Sequence, residues 1–138
     1  MKICLFVLTG PLMMLKPAYA VESGPTEIST ELSPQLLELL RAEMREISMG
    51  VQEIVPAVAT ADWQSIQNTS EKISASYIML KKLTPEQLAE MKQVLPDQFR
   101  QLDQELHSRA GQVAAAAAEK NTELVIFHYS RMLETCAA

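Results

Sequence analysis

Leu37, Leu40, Met44, Ile47, Val51, Ile54 and Val58 follow one another at alternating spacings of three and four residues. That pattern keeps seven apolar side chains on one stripe of an α-helix, whereas an extended strand would scatter them over both of its faces. A helix so long, apolar on one side only, has to bury that side against other elements. Ser33-Pro34 marks its start, with the hydroxyl placed to cap and proline at the first helical position. Gly50 and Pro56 are expected to weaken or bend it, since proline removes a backbone donor.

The rest of the chain repeats the theme. A second helix begins near residues 60–62, where Asp62 suits the positive end of the helix dipole. Its stripe is Trp63, Ile66, Ile73, Tyr77 and Leu80, with Ser70 in the one polar slot and Lys81-Lys82 at the C-terminal end. Thr84-Pro85-Glu86-Gln87 is a capping box that opens a short helix, which Pro96 interrupts. A third long helix starts around Asp97 and turns Phe99, Leu102, Leu106 and Val113 inward, continuing through the alanines at 114–118. Asn121-Thr122 makes a turn, and a last helix carries Val125, Tyr129, Met132 and Cys136 at 4-3-4 spacing. No segment alternates as a strand does. The expected fold is all-α, an antiparallel four-helix bundle over residues 33–138 with short connections.

The N-terminus reads as a secretory signal peptide over residues 1–20. Lys2 is followed by an apolar run at 3–15, too short to span a bilayer, and by Ala18-Tyr19-Ala20 as the cleavage site. Residues 21–32 are polar, without periodicity, and read as a flexible leader. Removing the signal peptide takes away Lys2, Lys16 and Cys4. What remains has 10 basic against 17 acidic residues and a single cysteine. A net charge of −7 excludes nucleic-acid or anionic-membrane binding by bulk charge. One cysteine excludes an internal disulfide. The expected destination is the periplasm, with no membrane insertion once the signal is cleaved.

The residues with chemistry are few. Cys136-Ala137-Ala138 matches the first three positions of C-x-x-C-H, which tethers haem through thioethers and supplies an axial histidine. Read alone, Cys136 is equally a small buried hydrophobe or a thiol that crosslinks two chains. Its place at a helix C-terminus raises its pKa and disfavours thiol catalysis. Met44 lies mid-stripe, a core position whose thioether is also a soft ligand for haem iron. Arg41, one turn earlier, can neutralise a propionate or sit solvated. His107 reads as a polar-face residue, and His128 as a partly buried histidine with a backbone partner. Neither forms H-x-x-x-H or H-E-x-x-H, and Met49, Met79 and Met91 form no tight cluster, so copper capture is only weakly signalled. The alanine run allows close helix contact or room for a flat ligand. Catalytic carboxylate pairs, phosphate loops and nucleophile elbows are absent, which points away from an enzyme.

An exported helical domain ending in Arg131-Met132-Leu133-Glu134-Thr135-Cys136-Ala137-Ala138 resembles the cytochrome c′ superfamily. Arg41-Ala42-Glu43-Met44-Arg45 is similar to the R-x-x-M-K stretch of its low-spin branch, and Asp62-Trp63, Leu83-Thr84-Pro85-Glu86-Gln87 and residues 99–107 also look alike. The resemblance covers roughly residues 32–138. It implies haem c, with Cys136 as the first thioether cysteine and Met44 as the axial metal ligand. Arg41, Tyr129 and Met132 are the further candidates for contact with the macrocycle. It implies single-electron transfer with redox partner proteins, and helix faces able to pair as a homodimer; with Met44 turned aside, the iron would take small gases instead. The motif's second cysteine and histidine have no counterpart, so the expectation is that the sequence in hand stops short of them. The alternative is a haem-free periplasmic bundle acting as a binding or stress module.

Overall fold

The computed structural model describes residues 31–77 and 82–138. Among them are five helices and no strand: α1 (Pro34–Ala59), α2 (Trp63–Ser74), α3 (Pro85–Val94), α4 (Asp97–Ala118) and α5 (Thr122–Ala137). The all-α expectation is met at that level. The expected signal peptide, and all of the leader before residue 31, lie outside the described residues. Leu32, the leader's last residue, is buried against Leu36 and Leu95. No described helix is long and apolar enough to cross a membrane.

Two connections are built identically. After α1 and after α4, one residue adopts left-handed backbone, Ala61 at φ 53° and Lys120 at φ 55°. In each case two backward hydrogen bonds close the helix, Asp62 N to Ala57 O (2.9 Å) and Ala61 N to Val58 O (3.2 Å), Asn121 N to Ala116 O (3.0 Å) and Lys120 N to Ala117 O (2.9 Å). That is the Schellman closure, which satisfies carbonyls a helix end otherwise leaves orphaned. The next side chain at once caps the following helix: Asp62 accepts from Ser65 N and Asn121 from Leu124 N, each at 3.1 Å. Those Ser65 hydrogen bonds hold the exposed Asp62 carboxyl below its usual range. Turns this tight fold α1 back on α2 and α4 back on α5, and α2 packs on α4.

The end of α2 departs from both this scheme and the sequence expectation. The helix stops at Ser74 rather than running on past Tyr77, because Ser76 turns left-handed at φ 57°. Leu80 and Lys81 of the expected stripe lie outside the described residues. Ser76 N reaches Ile73 O at 3.1 Å, the first of the two closing bonds. The second is replaced by a distant group. Tyr77 N donates to Oε1 of Glu43 on α1 at 2.9 Å, and the Ser76 hydroxyl donates to the same oxygen at 2.7 Å. His107 of α4 brings its Nδ1 to 2.5 Å from Ile73 O. Two neighbouring helices thus supply what local sequence does at the other two ends.

Ser33 also behaves differently from expectation. It makes no side-chain cap to α1; its hydroxyl and amide both donate to the Glu90 carboxylate of α3, at 2.9 and 2.5 Å. The Thr84–Gln87 capping box forms as expected. Neither Gly50 nor Pro56 interrupts α1.

Two apolar clusters result. The larger draws on Ile47, Val51, Ile54 and Ala57 of α1, Ile66 and Ile73 of α2, Leu106 to Ala117 of α4, and Val125 and Met132 of α5. The smaller joins Leu32 and Leu36 to Leu95, flanked by Leu40, Met91 and Phe99. Alanines 114, 116 and 117 are buried, so the run serves close helix packing. Gly50 explains itself by space. A Cβ there would meet the Tyr77 hydroxyl at 2.5 Å and Ile73 at 3.2 Å. Gly50→Ala is therefore expected to lower stability by up to about 2 kcal/mol in urea unfolding, since overpacking of about 1–3 kcal/mol opposes alanine's helix preference of about 1 kcal/mol.

Candidate functional site

Between the two clusters α1 leaves apolar surface uncovered. Its buried residues are Leu36, Glu43, Ile47, Gly50, Val51, Ile54 and Ala57, so the deeply buried face lies a little around from the stripe the spacing predicts. Leu37, Leu40 and Val58 are half-buried, and Met44 is 37% exposed. At Leu40 and Met44 the stripe is not fully covered by another helix. It forms one wall of a cleft.

The cleft has a volume of about 440 Å³, and Met44, Ile47 and Val51 line it from α1, Phe99, Leu102 and Leu106 from α4, and Leu133 and Cys136 from α5. An adjoining cleft of about 550 Å³ shares Met44, Phe99 and Asp103 with it and continues past Leu40, Leu88 and Met91 to Glu43 and His107. Each is of the size of an organic-ligand pocket, about 300–1,000 Å³, and each is walled mainly by apolar groups. Leu133, at 39% exposure, and Leu88, at 44%, leave more apolar surface open at the rims.

The predicted site residues divide. Met44 and Cys136 come together on one cleft. Cys136 is not on the buried stripe, as its spacing suggested, but exposed. Its thiol donates to Met132 O at 3.6 Å. Partial burial of the sulfur pushes the thiol above its ordinary range, with Thr135 pulling weakly the other way. Tyr129 and Met132 line neither cleft. Met132 is fully buried in the larger cluster, and the Tyr129 hydroxyl donates to Val51 O at 2.9 Å, tying α5 to α1. Burial, then the Cys136 thiolate, raises the Tyr129 pKa. Arg41 is exposed and pairs with Glu38 at 3.3 Å, one turn away on its own helix.

Spacing alone did not single out Glu43 or His107. Glu43 is 1% exposed, inside α1's packed face. His107 is half-buried rather than a plain polar-face residue, with Nδ1 on Ile73 O and Nε2 3.5 Å from Asp103 Oδ1. Its pKa is raised, first by the Asp103 hydrogen bond, against which burial acts, then by the Ile73 carbonyl and the charges of Asp103 and Glu43. A charged residue beside the stripe, seven residues after Leu36 and four before Ile47, is the one signal that could have marked Glu43. His128 lies against Phe127 edge-on, ring centres 5.1 Å apart, and its Nδ1 has no partner among the described residues in place of the expected backbone one. No group of three His, Cys, Asp or Glu able to hold a metal ion occurs among the described residues. Comparison with protein-family models, curated proteins and solved structures finds no match.

Proposed function

We propose that the chain is an exported c-type haem protein that moves single electrons, with its helices arranged as an antiparallel four-helix bundle around the macrocycle. The observation that carries this is the apolar cleft on which Met44 and Cys136 both open. Its donor set fits the group in kind: a thiol for a thioether, a thioether for iron, and aromatic and aliphatic walls for a flat ring. The imidazole ligand that the resemblance implies is not met by His107, whose two ring nitrogens face a carbonyl and a carboxylate.

Haem, when bound, supplies a reversible one-electron couple whose potential follows its ligands and the local dielectric. The chain's own part is to position and to shield. Phe99, Leu102 and Leu106 would exclude water from the bound group, Met44 would offer a neutral soft donor, and Cys136 would supply the covalent anchor. The partners are redox proteins, and a homodimer formed through helix faces agrees with the reading.

Titration of the purified chain with iron protoporphyrin tests the cleft. Saturation at one equivalent is expected, with Met44→Ala weakening binding and shifting the optical spectrum of the bound pigment. Spectra identical to free pigment in buffer would reject the assignment and leave the rival, a haem-free binding module, in its place.

A further inference from the structure

The left-handed turn at Ser76 leaves the end of α2 incomplete, and His107 is one of the two groups that complete it. Both of its ring nitrogens face acceptors. Nδ1 is 2.5 Å from Ile73 O, and Nε2 is 3.5 Å from Asp103 Oδ1. A neutral imidazole carries one N–H and satisfies one acceptor; only the imidazolium donates to both. The surrounding charges agree in sign. Asp103 stands on the same helix, Glu43 faces the ring from α1, and α2 presents its negative C-terminal end. The cations lining the same cleft are Lys92 of α3 and Arg100 of α4, and Arg100 is engaged by Asp97 and by Lys92 O at 2.8 Å.

We propose that His107 is held as an imidazolium and acts as a proton-sensitive latch, joining the end of α2 to α4 and neutralising the carboxylate that Asp103 presents to both clefts. On losing a proton the ring keeps Nδ1–H for Ile73 O, and the Nε2 lone pair then faces Asp103 instead of donating to it. The latch stabilises the fold fully below the ordinary imidazole pKa of about 6.5, and that contribution is lost as pH rises through the higher folded value. Above that point an apolar occupant of the clefts meets an unneutralised carboxylate. The latch acts whatever occupies the clefts and does not depend on haem.

The chain has two histidines, so each ring can be followed by NMR in the full chain, with His128 as internal control. His107 is expected to titrate above 6.5, and Asp103→Asn to lower its midpoint. Stability to urea should fall across the same pH range in the native chain. In His107→Gln, which keeps a donor but cannot titrate, that pH dependence should vanish. An apolar fluorescent dye should bind less tightly above the transition in the native chain and equally across it in the variant. A native midpoint at or below 6.5, or one that Asp103→Asn leaves unmoved, overturns the latch. Dye binding that ignores pH overturns its reach into the clefts.

Discussion

Replacing Glu43 by alanine is expected to cost about 3 kcal/mol. The carboxylate is buried on α1 and accepts from the Ser76 hydroxyl and the Tyr77 amide. Its removal leaves two buried donors without that acceptor, each worth about 1–3 kcal/mol, and opens a void where the side chain stood. Glu43→Gln keeps an acceptor oxygen at the cost of the charge assistance, and should lose about 1 kcal/mol. Urea unfolding of the pair checks this, with faster hydrogen exchange at Tyr77 expected in Glu43→Ala. If the two variants lose equally little, the helix end is secured by something other than the carboxylate.

The second large effect concerns Cys136. On the proposed reading its thiol would add across a haem vinyl group, with the sulfur bonding one vinyl carbon, the S–H proton going to the other and no external oxidant required. A thiol held above its ordinary range by burial is mostly protonated at neutral pH, so the addition needs maturation enzymes rather than chance encounter. Cys136→Ser is expected to reduce the pigment surviving acid–acetone extraction at least tenfold, or to move its band toward that of haem with one more free vinyl group. Stability should barely change, because the residue is exposed and outside both apolar clusters.

Much of the fold was legible because its signals are local. The helix start at Asp62, the turn at Asn121, the Thr84–Gln87 box and the Pro96 break each depend on residues within one turn. The end of α2 was not legible, because nothing between Ile73 and Tyr77 announces a stop. It is made by Glu43, 33 residues earlier, and His107, 34 residues later. The same distance hid the site. Spacing placed Leu40 and Met44 on a core stripe, and only the packing of α1 against α2 and α5 shows that this part of the stripe walls a cleft. Periodicity likewise put Cys136 with Val125 and Met132, yet the last turn of α5 runs past the core and leaves the thiol at the surface.

The most direct measurement is a pyridine haemochrome spectrum. The genomic reading frame is expressed beside c-type haem-maturation enzymes, and the product is denatured and washed with acid acetone. Pigment that stays with the protein, with its α-band displaced from that of protoporphyrin haem, is the predicted result. Colourless protein, or pigment wholly removed by the wash, would contradict it.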